Sequence, residues 1–221
     1  MRWLGSRQGP AVAGLVLLAA VVLAGCGAPS YTYVKNSADH MYVKIPASWH
    51  SIDEKDLDDA IGLDPAEDAS SRGLWLQAYD AAETPSPLHL FGSSATEPAA
   101  LVSVQKVPES SRGALSLDGL RDFFFPVSPT ARQNSQNPQL SGFGLVADDV
   151  LTPGDGLRGV HTVFRYSLGG GPPQMIDQTG YLNDDASKVY LLLVRCSTTC
   201  YKDRHGEIEN VVSSFTIREK P

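Results

Sequence analysis

The chain has 221 residues, 42% of them hydrophobic, and a formal net charge of −7 at pH 7. That length suffices for one sizeable core and lies at the upper end for a single domain. Its Lys and Arg residues form no cluster or stripe. Because phosphate binding needs such a basic surface, the composition argues against nucleic acid as a partner.

The N-terminal segment has the pattern of a bacterial lipoprotein signal peptide. Arg2 and Arg7 form its positive end, and the apolar stretch from Ala11 to Leu23 is too short to span a bilayer comfortably. The stretch runs into Leu23-Ala24-Gly25-Cys26, a lipoprotein box whose small residues leave room for a protease. We therefore predict a signal peptide over residues 1–25 and lipidation of Cys26. The alternative is an uncleaved membrane anchor with an incidental cysteine.

The predicted product is a lipoprotein on the extracytoplasmic face of the cell membrane. A diacylglycerol and a palmitate on Cys26 would anchor it far more firmly than one acyl chain does. Residues 26–30 form a short tether, in which four extended residues reach about 14 Å. Cleavage of the signal peptide removes Arg2 and Arg7, which lowers the number of basic residues from 18 to 16. With 25 acidic residues, the formal charge of the mature protein is −9. An anionic leaflet would repel this charge, so the acyl chains rather than electrostatics provide membrane retention.

The first half of the predicted domain combines a hairpin with a helix. Tyr31 to Val34 and Met41 to Ile45 are rich in aromatic and β-branched residues and flank a turn-like segment, which indicates a β-hairpin. Ser51 and Glu54 have the spacing of a capping box and predict the start of a helix. The apolar face of this helix would consist of Leu57, Ala60 and Ile61.

Two further strands and a second helix follow. Leu74 to Tyr79 and Leu101 to Val107 have strand character, and the connection between them is too polar and too broken by prolines to belong to the core. Ser116 can cap a helix that ends before Pro126, with apolar residues at helical spacing: Leu117, Leu120, Phe123 and Phe124. The loop from Pro126 to Gly142 is long enough to be either mobile or functional.

The C-terminal half predicts an antiparallel sheet and a closing helix. Four strand candidates alternate with Gly-, Pro- and Asp-rich turns: Phe143–Leu151, Leu157–Leu168, Gln174–Leu182 and Lys188–Cys196. The run from Val189 to Val194 is apolar on both faces, so both faces of its sheet must be covered. A helix capped by Asp203 and a terminal strand at Phe215–Ile217 complete the pattern. Helices on both faces of a mostly antiparallel sheet therefore form the expected architecture.

Cys196 and Cys200 remain as an even pair once Cys26 is lipidated. In an oxidising compartment such a pair predicts a disulfide, with Ser197 to Thr199 forming the turn between them. The alternatives are a metal site completed by His205 and a redox pair. The C-x-x-x-C spacing fits neither the usual zinc knuckle nor the C-x-x-C redox motif.

Two segments of the chain resemble a known family. Val43-Lys44-Ile45-Pro46-Ala47-Ser48-Trp49 resembles the opening of PsbP-like domains, in which Gly often precedes the Trp, and Ile208 to Phe215 resembles their closing helix. With the lipoprotein box, the chain resembles the LpqN-like lipoproteins of actinobacterial envelopes. The resemblance implies a single PsbP-like α/β/α sandwich of the α/β class over residues 31–221. It also implies an accessory or binding module rather than an enzyme, and it supplies no catalytic residues.

The sequence contains no recognisable enzymatic motif. Nucleophile elbow, H-E-x-x-H, P-loop and dinucleotide-binding patterns are all missing. The five histidines are scattered along the sequence. A Ser-His-Asp grouping could still form in the folded chain, so a hydrolase stays an alternative. The acidic stretch from Asp53 to Asp68 could bind Ca²⁺, but a solvated helix face explains it better. In an EF-hand loop that starts at Asp56, Ala60 and Ile61 would occupy the positions of an oxygen ligand and of the turn glycine. We predict no catalytic residue, metal or cofactor.

Three residues are candidates for ligand binding. On the strand from Leu157, His161 and Arg165 share one face with Val163 and could line a groove, although a solvated sheet edge is the favoured interpretation. Phe125 could cover a pocket beneath the long loops, with core packing as the favoured role.

These observations support three hypotheses about function. The leading one is a non-enzymatic, lipid-anchored envelope protein that is a binding or accessory module for another envelope component. The second is a carrier of a small apolar ligand or envelope lipid under the loops from Ala82 to Ala99 and from Pro126 to Gly142. The third is an envelope hydrolase.

Overall fold

The computed structural model describes residues 29–63 and 73–218. The predicted signal peptide, Cys26 and most of the tether lie outside the described residues, as do Asp64, Glu67 and Asp68 of the acidic stretch. In the part of the chain that is described, no helix is long and apolar enough to cross a membrane.

Within those residues the chain forms ten strands and seven helices. The strands are β1 (Tyr31–Asn36), β2 (Met41–Pro46), β3 (His50–Ser51), β4 (Leu74–Asp80), β5 (Ala99–Lys106), β6 (Leu140–Gly154), β7 (Leu157–Leu168), β8 (Gln174–Leu182), β9 (Lys188–Ser197) and β10 (Thr216–Ile217). The helices are α1 (Glu54–Ile61), α2 (Leu88–Phe91), α3 (Glu109–Arg112), α4 (Leu117–Arg121), α5 (Pro129–Asn134), α6 (Thr198–Asp203) and α7 (His205–Ser214).

The strands form two sheets in which every neighbouring pair is antiparallel. The larger sheet has seven strands in the order β3-β4-β5-β9-β8-β7-β6. The predicted hairpin β1-β2 is confirmed, and it joins the terminal strand β10 in a separate sheet of order β1-β2-β10. The predicted α/β class, with a mostly antiparallel sheet and helices on both faces, is confirmed.

The core lies on both sides of β9. Tyr190, Leu192 and Val194 point to one face, where they pack against the three-stranded sheet and α7. Leu191 and Leu193 point to the other face, which α1, α2 and α4 cover. All five side chains are at most 1% exposed. The prediction that both faces of this strand are covered is therefore confirmed.

The two segments that resemble PsbP-like domains meet in this core. Trp49 follows β2 and is buried, and its indole Nε1 donates a 2.6 Å hydrogen bond to Glu207 Oε1 on α7. Ile208 and Val211 of the same helix are fully buried beside it. The contact ties the start of the domain to its end.

The start of α1 differs from the sequence prediction. Ser51 does not cap the helix, because it pairs with Tyr79 in the sheet. The N-cap is Asp53, whose carboxylate accepts a hydrogen bond from the amide of Lys55. Of the predicted apolar face, Leu57 is buried, whereas Ala60 and Ile61 are exposed.

The segment between β4 and β5 belongs to the core, contrary to the sequence prediction. Leu90 on α2 and Ala95 are each 1% exposed. The buried guanidinium of Arg195 donates hydrogen bonds to the carbonyl oxygens of Leu90, at 2.6 Å, and Gly92, at 2.9 Å. These bonds satisfy backbone groups that a polar segment would otherwise leave unpaired in the interior, so the chain can be buried despite its composition.

Helix α4 is shorter than its apolar spacing predicts. Ser116 caps it as expected, accepting a hydrogen bond from the amide of Gly119. The helix ends at Arg121 because the Asp122 carboxylate accepts from the amides of Val127 and Ser128, which turns the chain away. The side chain of Phe123 is consequently 42% exposed and does not belong to the helix core as predicted.

The disulfide between Cys196 and Cys200 is confirmed, with the two Cα atoms 5.9 Å apart. The segment after Cys196 is not the predicted turn but the beginning of α6, which Ser197 caps through the amide of Cys200. Asp203 is the last residue of α6 and does not cap α7, so that prediction is wrong.

We expect Cys196→Ser to lower the free energy of unfolding by about 2 kcal/mol, because the crosslink no longer restricts the unfolded chain. Chemical denaturation measures this change. The double variant Cys196→Ser/Cys200→Ser is the control, because it also lacks the disulfide but has no free thiol at position 200. Peptide mapping after alkylation without reductant should find neither cysteine modified in the unaltered protein. Alkylation of both would contradict the pairing.

We expect Arg195→Met to lower the free energy of unfolding by about 2–4 kcal/mol, because two buried carbonyl oxygens lose their donors. Hydrogen exchange should accelerate first at Ala95, whose amide bonds to Gln174 Oε1 next to the guanidinium. Arg158→Met, at an exposed position of β7, is the matched control and should leave both quantities nearly unchanged. Equal effects of the two substitutions would contradict this role for Arg195.

Candidate binding groove

A groove of about 490 Å³ lies on the sheet face that α6 and α7 border. Its floor is formed by β7 and β8, and its walls are formed by β6 on one side and the two helices on the other. The lining residues are Val146, Ala147, Leu151, His161, Val163, Asp177, Thr179, Tyr181, Tyr201, His205, Glu209, Val212, Ser213 and Phe215. We name this surface the His161 groove.

Strand alternation and register bring the polar floor residues together. His161 lies opposite Thr179 in the pairing of β7 with β8, and Val163 lies opposite Asp177. Paired residues of antiparallel strands project to the same face, so these side chains all face the groove. Asp177 in turn pairs with Val194 of β9, whose side chain packs in the core under α7.

A buried carboxylate organises the groove floor. Asp177 is 3% exposed, and its two oxygens have different partners. His161 Nε2 lies 2.8 Å from Oδ1, and the hydroxyl of Tyr201 donates a 2.7 Å hydrogen bond to Oδ2. A buried charge needs such partners, because desolvation without them costs several kcal/mol. The carboxylate therefore fixes one side chain from β7 and one from α6.

These contacts set the protonation of both partners. The hydrogen bond to Asp177 raises the pKa of His161 above its usual value against the opposing effect of burial, and the charges of Asp177 and Asp149 raise it further. Burial, together with the nearby Asp177 charge, raises the pKa of Tyr201. The groove floor thus favours the protonated imidazole ring of His161 and a neutral phenol that donates a hydrogen bond to the carboxylate.

Among the described residues, no hydroxyl or thiol is hydrogen-bonded to His161. Its Nε2 is hydrogen-bonded to Asp177, whereas its Nδ1 lies 3.9 Å from Asp149 Oδ2, which is beyond hydrogen-bond distance. A base that accepts a proton from a nucleophile needs a neutral ring with one free nitrogen directed at that nucleophile. The observed contact of Nε2 with Asp177 fixes the orientation of the ring.

The rest of the groove combines apolar walls with a polar rim. Tyr181 and Phe215 pack with their ring centroids 5.8 Å apart, and Val146 on β6 is 65% exposed. Val212 is half-buried, while Glu209 and His205 of α7 are exposed at the rim. Thr179 Oγ1 is buried and has no hydrogen-bond partner within the described residues. Apolar walls with a few fixed polar groups are the general character of a binding site.

A second groove, of about 480 Å³, lies beneath the loops on the opposite face of the sheet. Its apolar lining comes from Leu90, Phe91, Phe124, Phe125, Leu140, Leu168 and Leu193. Phe125 also packs on the core rings of Phe164, at 6.0 Å, and Tyr166, at 6.2 Å between centroids. One side chain therefore serves the core and the groove together.

The structure separates the three residues that the sequence singled out for ligand binding. His161 is in the first groove, and Phe125 is in the second, on the opposite face. Arg165 is exposed on β7 opposite Gly144 and lines neither groove. Ligand binding by each of them stays a prediction. Over residues 29–63 and 73–218, no three His, Cys, Asp or Glu side chains cluster as metal ligands would.

Sequence reasoning missed Asp177 and Tyr201, which position His161. The available signal was Asp177 itself, an acidic residue in the middle of the predicted strand Gln174–Leu182. A carboxylate at such a position must find partners, and the strand alternation would have placed it on the face that Thr179 and Tyr181 share.

Comparison with solved structures identifies the fold. No protein-family model matches the chain, and no curated protein does so significantly. The cyanobacterial PsbP protein CyanoP from Synechocystis sp. superposes with a TM-score of 0.52 at 13% identity, covering 89% of this chain and 99% of CyanoP. The fold is PsbP-like.

Two other structures superpose on this PsbP-like domain with a TM-score of 0.44 each. One is the putative regulator PA94 from Pseudomonas aeruginosa, at 14% identity over 87% of this chain and all of PA94. The other is the Ran-binding protein Mog1p from Saccharomyces cerevisiae, at 10% identity over 85% of this chain and 95% of Mog1p.

We expect Asp177→Asn to lower the pKa of His161, because burial then opposes the charged ring without the hydrogen-bonded carboxylate. NMR titration of the histidine ring protons measures this pKa. Asp149→Asn is the matched control: Asp149 is 66% exposed, so its loss should have a smaller effect. An equal or larger decrease in the control would contradict the assignment.

A raised pKa of His161 also makes stability depend on pH. The stabilising contact is fully present below about pH 6.5, the unfolded-state value, and is lost as pH rises through the higher folded-state pKa. The free energy of unfolding should therefore fall over that interval, and His161→Gln should remove this part of the pH dependence. If the free energy of unfolding of His161→Gln still falls with pH as steeply as in the unaltered protein, another group causes the dependence.

Proposed function

We propose that this protein is a lipid-anchored cell-envelope protein whose PsbP-like domain is a non-enzymatic binding or accessory module. The acyl chains on Cys26 hold it to the extracytoplasmic face of the cell membrane, as in the LpqN-like lipoproteins that the sequence resembles. The Cys196–Cys200 disulfide supports this location, because such bonds persist in oxidising compartments.

The His161 groove is the observation on which the binding role rests. It joins apolar walls to a charged floor whose geometry is fixed by Asp177 before any ligand arrives. Preformed sites lose less conformational entropy on binding, so they gain affinity from the same contacts. We assign the groove to a segment of another envelope protein that combines an apolar side chain with hydrogen-bonding groups.

The wall formed by β6 favours recognition through side chains. This strand is at the end of the sheet, and its apolar Val146 faces the groove while remaining 65% exposed. Three register shifts interrupt its pairing with β7. Such irregularities discourage a further strand from adding to an edge, so we expect the partner to insert side chains rather than extend the sheet.

The hydrolase alternative has less support. His161 has a charged state favoured by two carboxylates, and among the described residues no hydroxyl or thiol is hydrogen-bonded to it. Specific turnover of an ester or glycan substrate by the purified protein, abolished by a single Ser or His substitution, would nevertheless overturn a non-enzymatic role.

The second groove supports a second candidate, a carrier of a small apolar ligand or envelope lipid. Its volume of about 480 Å³ and its mainly aliphatic and aromatic lining are in the range of small-molecule sites. Native mass spectrometry of the protein from its envelope host separates the candidates. An adduct of lipid mass that Phe91→Ser abolishes would support the carrier, whereas a second polypeptide would support the binding module.

The binding role is tested by photo-crosslinking from the two exposed valines of β6. Val146 lines the groove, and Val150, which is 56% exposed, pairs with Val160 on the opposite face. A photoreactive residue at position 146 of the lipidated protein should crosslink a discrete partner in intact envelopes, and one at position 150 should not. Val146→Asp should weaken co-purification of that partner at least tenfold, because the apolar contact that the partner buries on Val146 is replaced by a charge.

Val150→Asp is the matched control, since it makes the same change on the same strand but outside the groove. Equal crosslinking from both positions, or equal loss of the partner in both Asp variants, would contradict the assignment of binding to the His161 groove.

A further inference from the structure

The outer face of the three-stranded sheet is basic and aromatic. Along β1 and β2 the side chains that point outward are exposed, whereas the alternating Val34 and Val43 are buried in the core. The exposed set consists of Tyr33, Lys35, Tyr42 and Lys44, to which β10 and the residue after it add Thr216 and Arg218. We name these six side chains the Tyr–Lys face.

The strand register places aromatic and basic side chains next to each other. Tyr33 pairs with Lys44 and Lys35 pairs with Tyr42, so each aromatic ring has a cation opposite it on the neighbouring strand. On the other side of Tyr42 lies Thr216 of β10. Together with Ser214, these residues line a shallow concavity of about 460 Å³ that includes Arg218. The face is thus continuous over all three strands.

Within the described residues, the cations of this face have no carboxylate partner. The strands β1, β2 and β10 contain no Asp or Glu. Within the described residues, no carboxylate lies within ion-pair distance of Lys35, Lys44 or Arg218, although other Lys and Arg residues form such pairs. In a chain of net charge −7, this sheet therefore presents a local positive surface.

Tyr, Lys and Arg are the side chains that suit a membrane–water interface. A tyrosine ring enters the boundary of the acyl chains while its hydroxyl stays hydrated, and long basic side chains reach the phosphates. Each Lys or Arg near an anionic leaflet strengthens attraction to it about fivefold. The Tyr–Lys face offers three such cations next to two exposed rings.

The position of this face in the chain selects the membrane as its partner. The face begins at β1, directly after the predicted tether, and four extended residues after Cys26 reach only about 14 Å. We propose that the Tyr–Lys face docks on the anionic phospholipid headgroups of the leaflet that holds Cys26. This inference depends on the proposed lipid anchor. It turns the acidic remainder of the domain away from the leaflet, so the acyl chains provide attachment and the face sets the orientation.

Lysine acylation of the complete lipidated protein tests this docking. A water-soluble acylating reagent is applied to the protein in neutral detergent, in vesicles of phosphatidylcholine, and in vesicles of equimolar phosphatidylglycerol and phosphatidylcholine. Mass spectrometry then gives the modification rate at each lysine. Lys35 and Lys44 report on the face, while Lys55 on α1 and Lys202 on α6 are exposed controls elsewhere.

We expect the anionic vesicles to slow acylation of Lys35 and Lys44 about fivefold relative to detergent, with little change at the controls. Protection should be weaker in phosphatidylcholine vesicles. The variant Tyr33→Ser/Tyr42→Ser/Arg218→Glu keeps both reporter lysines and should lose the protection. Arg158→Glu repeats the charge change on the other sheet and should retain it. Circular dichroism verifies that both variants are folded.

Vesicle flotation and the intact mass separate failure of the anchor from failure of the docking. A protein that floats and carries acyl chains, but whose Lys35 and Lys44 react as fast in anionic vesicles as in detergent, overturns the docking and leaves the anchor intact. Equal protection in both vesicle types overturns the assignment to anionic headgroups. A protein that neither floats nor carries acyl chains overturns both proposals.

Discussion

Burial of both faces of β9 is the constraint on which the rest of this structure depends. The strand lies at the centre of the seven-stranded sheet, and five consecutive side chains from Tyr190 to Val194 are buried alternately on its two sides. Each face must therefore be covered by a separate layer. On one face this layer is made of α1, α2 and α4, and on the other it is made of the three-stranded sheet with α7.

The covering layer on the second face is narrower than the sheet beneath it. The three-stranded sheet and α7 cover β5 and β9, but the floor of β7 and β8 continues beyond them towards β6. A groove forms there because the described part of the chain provides no further element to cover it. Its floor can then contain Asp177, since partners from β7 and α6 reach the carboxylate from both sides. The candidate site is thus a result of unequal layer widths.

Sequence alone predicts those parts of the fold that local patterns determine. The bounds of β7 and β8 follow from alternation between Gly- and Pro-rich turns, and the predicted strands agree with the structure. The four-residue helix α2 could not be predicted, because its burial depends on hydrogen bonds from Arg195, over a hundred residues away. The separate sheet and the partnership of Asp177 with Tyr201 likewise depend on contacts between distant segments. His161 could be singled out from its strand face, but its charge partners could not.

The disulfide has a consequence for how the His161 groove can open. It joins the end of β9 to Cys200, and the hydroxyl of the next residue, Tyr201, donates a hydrogen bond to Asp177 on the groove floor. The wall formed by α6 is therefore covalently tied to the central strand. Core strands are in general the last part of a domain to exchange their amide protons. Local fluctuations cannot swing this wall aside without disturbing the core. Of the groove walls, β6 is the one at the end of the sheet, so a movement of β6 would widen the groove while leaving the central strand β9 in place.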